Sequence, residues 1–233
     1  MNAVKNFFAS EIESWIVRFL PFIICRSLTD SLHAVWQRGD WDHLPETGAV
    51  LAVNHHSWWD AYLCWLVQQK ISLPVSGMMR EEQLGRFRFF RRIGVISDSE
   101  VREGLRRLER GNLLFIFPEG ELSRAGGVGE LHKGVSFLAK RAQVPIYPVA
   151  FRVVMRGAQY PEAFIVLGER LEPCGDDTAN LTNLQNSMNA LLLNLDKQIA
   201  ATPPEEAPAG FETWLTGRKS FSTRMAWVRR LWS

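Results

Sequence analysis

Hydrophobic and polar residues follow two different periods along this chain, and the switch between them divides it into segments. Near the N-terminus, Phe8, Ile12, Trp15 and Phe19 recur at steps of four, three and four, which places them on one stripe of a helix. Glu11, Glu13 and Arg18 interrupt that run, and Pro21 is expected to kink or end the helix. The uninterrupted stretch Phe19–Cys25 falls short of the roughly 20 residues that cross a bilayer. Acidic residues ahead of it, with no convincing cleavage site behind, argue against a secretory signal. The helix therefore either packs on its own domain or lies in a membrane surface.

From Gly48 onward short apolar runs alternate with amphipathic stretches. Ala49–Val53 is a continuous apolar run, as in a strand buried on both faces. A helix carrying Trp58, Tyr62, Trp65 and Leu66 follows, with Ser57 as its expected N-cap. Leu113–Phe117 reads as a second buried strand, 130–141 as a helix, and Val144–Val153 as a strand. Pro145 and Pro148 place that last strand at a sheet edge. Phe164–Gly168 adds a strand and Thr178–Ala201 a long helix. This order predicts an α/β fold: one layered domain, 45–201, with a mixed, largely parallel sheet flanked by helices. An amphipathic helical segment, 1–44, precedes it, and a linker with a basic, Trp-rich segment, 202–233, follows. In that tail Phe221, Met225, Val228 and Trp232 share a helical stripe, either interfacial or packed.

The 233 residues suffice for one substantial core, and 46% hydrophobic with 22% charged residues is a globular composition. A net charge of +2 is too mild for a dedicated nucleic-acid binder. Three cysteines without a CxxC pair argue against a disulfide scaffold or a cysteine-rich zinc module. Nine tryptophans against three tyrosines change the picture more, because tryptophan favours boundaries between apolar and wet environments. Basic residues gather between Arg80 and Arg110, interleaved with Phe87, Phe89 and Phe90; a solvated helix face and a membrane- or acyl-carrier-facing surface both fit that pattern.

Chemistry concentrates in Asn54-His55-His56-Ser57-Trp58-Trp59-Asp60, directly after a predicted buried strand. With His55 in the turn and Asp60 in the first helical turn, the carboxylate can hold one imidazole nitrogen and leave the other as a general base. A structural histidine beside a capping aspartate fits the same spacing. A zinc site is disfavoured, since adjacent histidines diverge and no further ligand cluster accompanies them. At the end of the second buried strand, Phe117-Pro118-Glu119-Gly120 forms a rigid turn, with Arg124 shortly beyond it.

Asn54-His55-x-Ser57-x-x-Asp60, followed some sixty residues later by Phe117-Pro118-Glu119-Gly120, resembles the glycerolipid acyltransferase family, typified by 1-acylglycerol-3-phosphate acyltransferase. Lys133-Gly134 and Val144-Pro145-Ile146-Tyr147-Pro148-Val149-Ala150 are similar to further blocks of that family, so the resemblance spans Gly48 to Phe151. It implies transfer of a fatty acyl group from acyl-CoA or acyl-carrier protein to a hydroxyl of a lysophospholipid, glycerol-phosphate or glycolipid acceptor. His55 would be the base and Asp60 its orienting partner. Asn54, Ser57, Glu119, Gly120, Arg124, Lys133 and Pro145 would contact substrates. No metal or cofactor is implied, nor any nucleic-acid partner. The expected location is the cytoplasmic face of a membrane, as a peripheral or monotopic protein. A lipid or thioester hydrolase on the same fold, or an acyltransferase for a carotenoid-glucoside acceptor, is the alternative.

Two departures from the family pattern matter. Glu121-Leu122-Ser123-Arg124 follows Gly120 where the family often has Thr-Arg-Ser, and no arginine follows Asp98 where a phosphate ligand is common. The second departure argues against lysophosphatidic acid as acceptor. The segment Met78–Leu84 is similar to that of members from glycolipid or carotenoid-glucoside pathways.

Overall fold

The run Ala49–Val53 forms strand β2, buried along its whole length near the middle of an eight-stranded sheet. The computed structural model describes residues 2–225. Its other strands are β1 (Ala34–Arg38), β3 (Val75–Met79), β4 (Val95–Ser97), β5 (Leu113–Ile116), β6 (Ile146–Val154), β7 (Glu162–Leu167) and β8 (Glu212–Thr216). Across the sheet the order is β4-β3-β5-β2-β6-β7-β1-β8. The five strands from β4 to β6 are mutually parallel, and β7 and β1 are parallel to each other. The β6–β7 and β1–β8 pairs are antiparallel, which makes the sheet mixed and largely parallel, as predicted.

Helices cover both faces. On one side lie α4 (Val101–Glu109), α5 (Gly134–Ala142) and α6 (Asp177–Ala201), whose Leu108, Leu138, Leu184, Met188 and Leu192 pack on Val50 and Ala52 of β2. On the other, α1 (Asn2–Ser31) and α2 (Asp60–Lys70) bury Leu28, Leu63 and Val67 against Ala49, Leu51 and Val53. A short helix α3 (Glu81–Arg86) and a 3-10 helix (Arg88–Ile93) link β3 to β4, and α7 (Phe221–Arg224) follows β8.

Several expectations give way. The helix α1 runs through Pro21 to Ser31. A proline inside a helix costs about 3 kcal/mol. Each buried leucine of the Leu20, Ile24, Leu28, Leu32 stripe returns roughly 1.5–3 kcal/mol, so packing wins. The opposite face of α1 is also apolar and exposed, with Trp15 stacked on Phe19 at 5.5 Å and Phe22 and Ile23 beside them. The strand with two prolines is interior, paired to β2 and β7 on its two sides. Pro145 precedes it and contributes only its carbonyl, to Val50 N–H, while Pro148 accepts from Gly168 N–H; neither role needs the missing donor. Two strands, β1 and β8, come from outside 45–201, and Trp214 of β8 packs on Trp41 at 5.3 Å. The tail stripe at Val228 and Trp232 lies outside the described residues, as do the side chains of Phe8 and Ile12. Among the described residues no helix is long and apolar enough to cross a membrane.

Candidate active site

Parallel pairing of β2 and β5 sets Ala52 opposite Ile116. The segments that follow both strands therefore leave the sheet side by side, at the C-terminal strand edge where α/β folds build their sites. This brings Asn54–Ser57 against Phe117–Glu119.

His55 Nδ1 lies 2.9 Å from Asp60 Oδ2. Asp60 is fully buried, and the same oxygen accepts the backbone N–H groups of His56 at 2.8 Å and Ser57 at 2.9 Å. Three donors thus converge on one carboxylate oxygen. Its other oxygen, Oδ1, accepts no hydrogen bond from the described residues and sits 3.8 Å from His56 Nδ1. In the tautomer that donates Nδ1–H to the carboxylate, His55 can accept a proton at Nε2. The ring stacks on Phe117, centroids 4.4 Å apart, and its side chain retains partial solvent access. Helix α2 begins at Asp60, and its N-cap position is Trp59, not Ser57. Ser57 serves the preceding turn instead, its hydroxyl accepting from Trp59 N–H at 3.3 Å.

Glu119 is buried and engaged at both oxygens. Oε1 accepts His55 N–H at 2.9 Å, and Oε2 accepts the Ser123 hydroxyl at 2.5 Å. Ser123 N–H in turn donates to the His55 carbonyl at 2.8 Å. Gly120 adopts φ +72°, and a Cβ there would stand 2.7 Å from the His132 ring, so only glycine fits the turn.

Beside this arrangement an apolar cleft opens between β3 and α2. Phe117, Phe115, Met78, Trp65 and Cys64 line it, with Phe90 and Ile93 from the 3-10 helix. Phe117 belongs to both the cleft and the histidine environment. Burial pushes the Cys64 thiol well above its ordinary pKa, so this wall stays uncharged. Burial also lowers the pKa of His56 and outweighs the opposing charge of Asp60. His56 accepts Val153 N–H at Nε2, 3.3 Å away.

The remaining predicted residues divide. Asn54 is buried and tied to β6, accepting Phe151 N–H at 2.8 Å and donating to Phe151 O at 3.2 Å, so it holds the turn. Arg124 and Lys133 are exposed at the flanks of the Gly120 loop. Pro145 is not brought to the site. It neighbours Val50, four residues before Asn54, which is roughly 13 Å along the strand. Sequence reasoning missed Ser123, His132 and Arg80. The Arg80 Nη2 atom lies 3.7 Å from where a Gly120 Cβ would be. Arg80 follows β3, whose Met79 pairs with Ser97, and Glu81 N–H bonds Asp98. It thus stands next in space to the position where the family's arginine is missing, a proximity that linear spacing hides. Among the described residues no three metal-binding side chains converge.

Residues 38–152 match the family model described as Acyltransferase, a span that includes the His55–Asp60 pair, the Glu119 turn and Arg80. No curated protein matches the sequence. Among solved structures, the 1-acyl-sn-glycerophosphate (LPA) acyltransferase PlsC from Thermotoga maritima is similar in fold, with a TM-score of 0.58 and 18% identity over 79% of this chain and 80% of that one. The family model takes in both halves of the site, and the sheet shares its fold with that enzyme: residues 38–152 of this chain belong to the Acyltransferase family.

Proposed function

We propose that this acyltransferase moves a fatty acyl group from acyl-CoA or acyl-carrier protein to a hydroxyl of a lipid acceptor with an anionic headgroup. The observation that carries this reading is the 2.9 Å contact between His55 Nδ1 and buried Asp60, set beside an apolar cleft that ends on Phe117. His55 Nε2 takes the acceptor hydroxyl proton as that oxygen attacks the thioester carbonyl. The buried carboxylate of Asp60 stabilises the imidazolium that forms. Collapse of the tetrahedral intermediate breaks the carbon–sulfur bond, and the departing thiolate recovers the proton from His55. The acyl chain occupies the cleft, whose uncharged wall suits a hydrocarbon.

Arg80 supports an anionic acceptor. Its guanidinium is exposed beside Gly120, with Arg124 and Lys133 on the same loop system, and arginine suits a phosphate bidentately. The acceptor of the structurally similar enzyme, 1-acyl-sn-glycerophosphate, is therefore the first to test. The exposed face of α1, with Trp15, Phe19, Phe22 and Ile23, supports work at a membrane surface. Replacing Trp15, Phe19 and Phe22 by serine should reduce co-sedimentation with anionic liposomes; unchanged sedimentation refutes that part.

The decisive experiment is acyl transfer by His55→Ala, which should be abolished while the protein stays folded. Transfer at the wild-type rate would refute the mechanism. Free fatty acid as the sole product, with acceptor present, would make the protein a hydrolase.

A further inference from the structure

Two stretches distant in sequence meet at the His55 peptide, and they leave it almost no freedom. Its N–H donates to Glu119 Oε1 at 2.9 Å, and its carbonyl accepts Ser123 N–H at 2.8 Å with the Ser123 hydroxyl 3.0 Å away. That hydroxyl also donates to Glu119 Oε2 at 2.5 Å, which closes a ring of contacts around one residue. The turn reaches back this far because Gly120 takes a positive φ and donates its N–H to the Phe117 carbonyl. Asp60 fixes the ring of His55 at Nδ1; Glu119 and Ser123 fix the backbone that carries it.

We infer that Glu119 and Ser123 are positioning residues that clamp the His55 backbone, and that Glu119 is not a ligand of the acceptor. The inference rests on the proposed role of His55 as base. Both oxygens of Glu119 already accept from the protein, and the side chain is buried, so its contacts point to the His55 backbone and Ser123 rather than to an incoming substrate. What the site needs from this side chain is geometry rather than charge. A glutamine in its place can accept His55 N–H at Oε1 and donate from Nε2 to Ser123 Oγ, whose proton then turns to the nearby His55 carbonyl. Alanine can do neither.

The test compares Glu119→Gln, Glu119→Ala and Ser123→Ala in steady-state acyl transfer, with melting curves as a folding control. Small displacements of a catalytic group cost up to about 10²-fold. Glu119→Ala should therefore lower kcat by about 10²-fold, with acceptor KM within about twofold of wild type. Glu119→Gln should recover kcat to within about threefold. Ser123→Ala leaves the carboxylate in place and loses only the hydroxyl; kcat should fall by about tenfold or less. A second readout uses no substrate: the proton resonance of His55 Nδ1–H, expected in wild type and Glu119→Gln and broadened by exchange in Glu119→Ala. An acceptor KM raised tenfold or more in both Glu119 variants, with kcat unchanged, would overturn the inference, as would an unaltered Nδ1 resonance in a folded Glu119→Ala. A wild-type protein that transfers no acyl group would defeat the proposed function, yet the resonance would still decide the clamp.

Discussion

Replacing Asp60 by asparagine isolates charge from geometry. The Asp60 Oδ2 atom accepts three N–H groups, and an amide oxygen can take over all three. The Oδ1 position, which has no hydrogen-bond partner among the described residues, would receive the amide NH2. On the proposed mechanism, what disappears is the negative charge facing the imidazolium that forms as the acceptor is deprotonated. With charge centres about 4 Å apart and an effective dielectric of about 20, that attraction is about 4 kcal/mol. Lost from the transition state alone, it corresponds to about a thousandfold in kcat. The buried amide NH2 without an acceptor costs a further 1–3 kcal/mol or so of stability. For a chain of this size that lowers the melting temperature by a few degrees, roughly 2–4 °C per kcal/mol. Acyl transfer with saturating donor and acceptor, alongside a thermal melt, measures both. A folded Asp60→Asn enzyme with kcat within threefold of wild type would refute the charge-stabilised base.

Three other outcomes follow from the same geometry. Arg80→Met should raise KM for 1-acylglycerol 3-phosphate by about 10–100-fold, since hydrogen bonds to charged groups contribute about 1.5–3 kcal/mol, while an uncharged acceptor should respond little; equal effects on both would remove Arg80 from the acceptor site. Gly77 lines the cleft, and among the described residues a Cβ there meets only Val95, at 3.7 Å. Gly77→Val should fold and shift preference toward shorter acyl chains, by about tenfold in relative kcat/KM, read from a chain-length series. Burial lowers the pKa of His56 from 6.5, so the unfolded chain binds a proton that the folded one refuses. Its contribution to stability is complete above pH 6.5 and is lost as the pH falls toward the lowered folded value. Urea midpoints between pH 8 and 5 should fall more steeply for wild type than for His56→Gln; parallel slopes would contradict this.

How far the sequence revealed this arrangement depended on whether the signal was local. Ala49–Val53 and the candidate catalytic turn after it carry their own patterns, and their strand and first helical turn lie where the periodicity puts them. Glu119 was legible as a site residue, but not as one bonded to His55, because the bond crosses two strands. Ser123 carries no signal of its own beyond being a polar residue in a loop. Proline propensity misplaced β6 because only tertiary pairing reveals that Pro145 and Pro148 are needed as acceptors. The stripe of α1 was readable, but its face was not: apolar residues occupy both sides, and packing of Leu20, Ile24 and Leu28 decides which one is inside. Strands β1 and β8 lie outside the repeating α/β pattern and join the sheet through long-range pairing.

The site depends finally on the register between β2 and β5. His55 is three residues past Ala52, and Glu119 three past Ile116, its register partner; the two therefore stand level. A slip of one residue moves one turn by about 3.3 Å against the other, more than the whole 2.9 Å bond between them. Ordinarily such a slip is blocked because it turns apolar residues outward. That safeguard is weak here, since both faces of β2 and β5 are apolar and buried. The opposite end of the strands supplies the missing constraint. A Cβ on Gly111 would fall 2.2 Å from the Glu46 carbonyl oxygen, and one on Gly48 would fall 2.4 Å from that of Leu108. Both glycines have positive φ, +85° and +95°. Each thus lets the segment leading into its strand seat against backbone leading into the other. The interlock sits where the strands begin and the chemistry where they end, so the glycines align His55 with Glu119 without touching either.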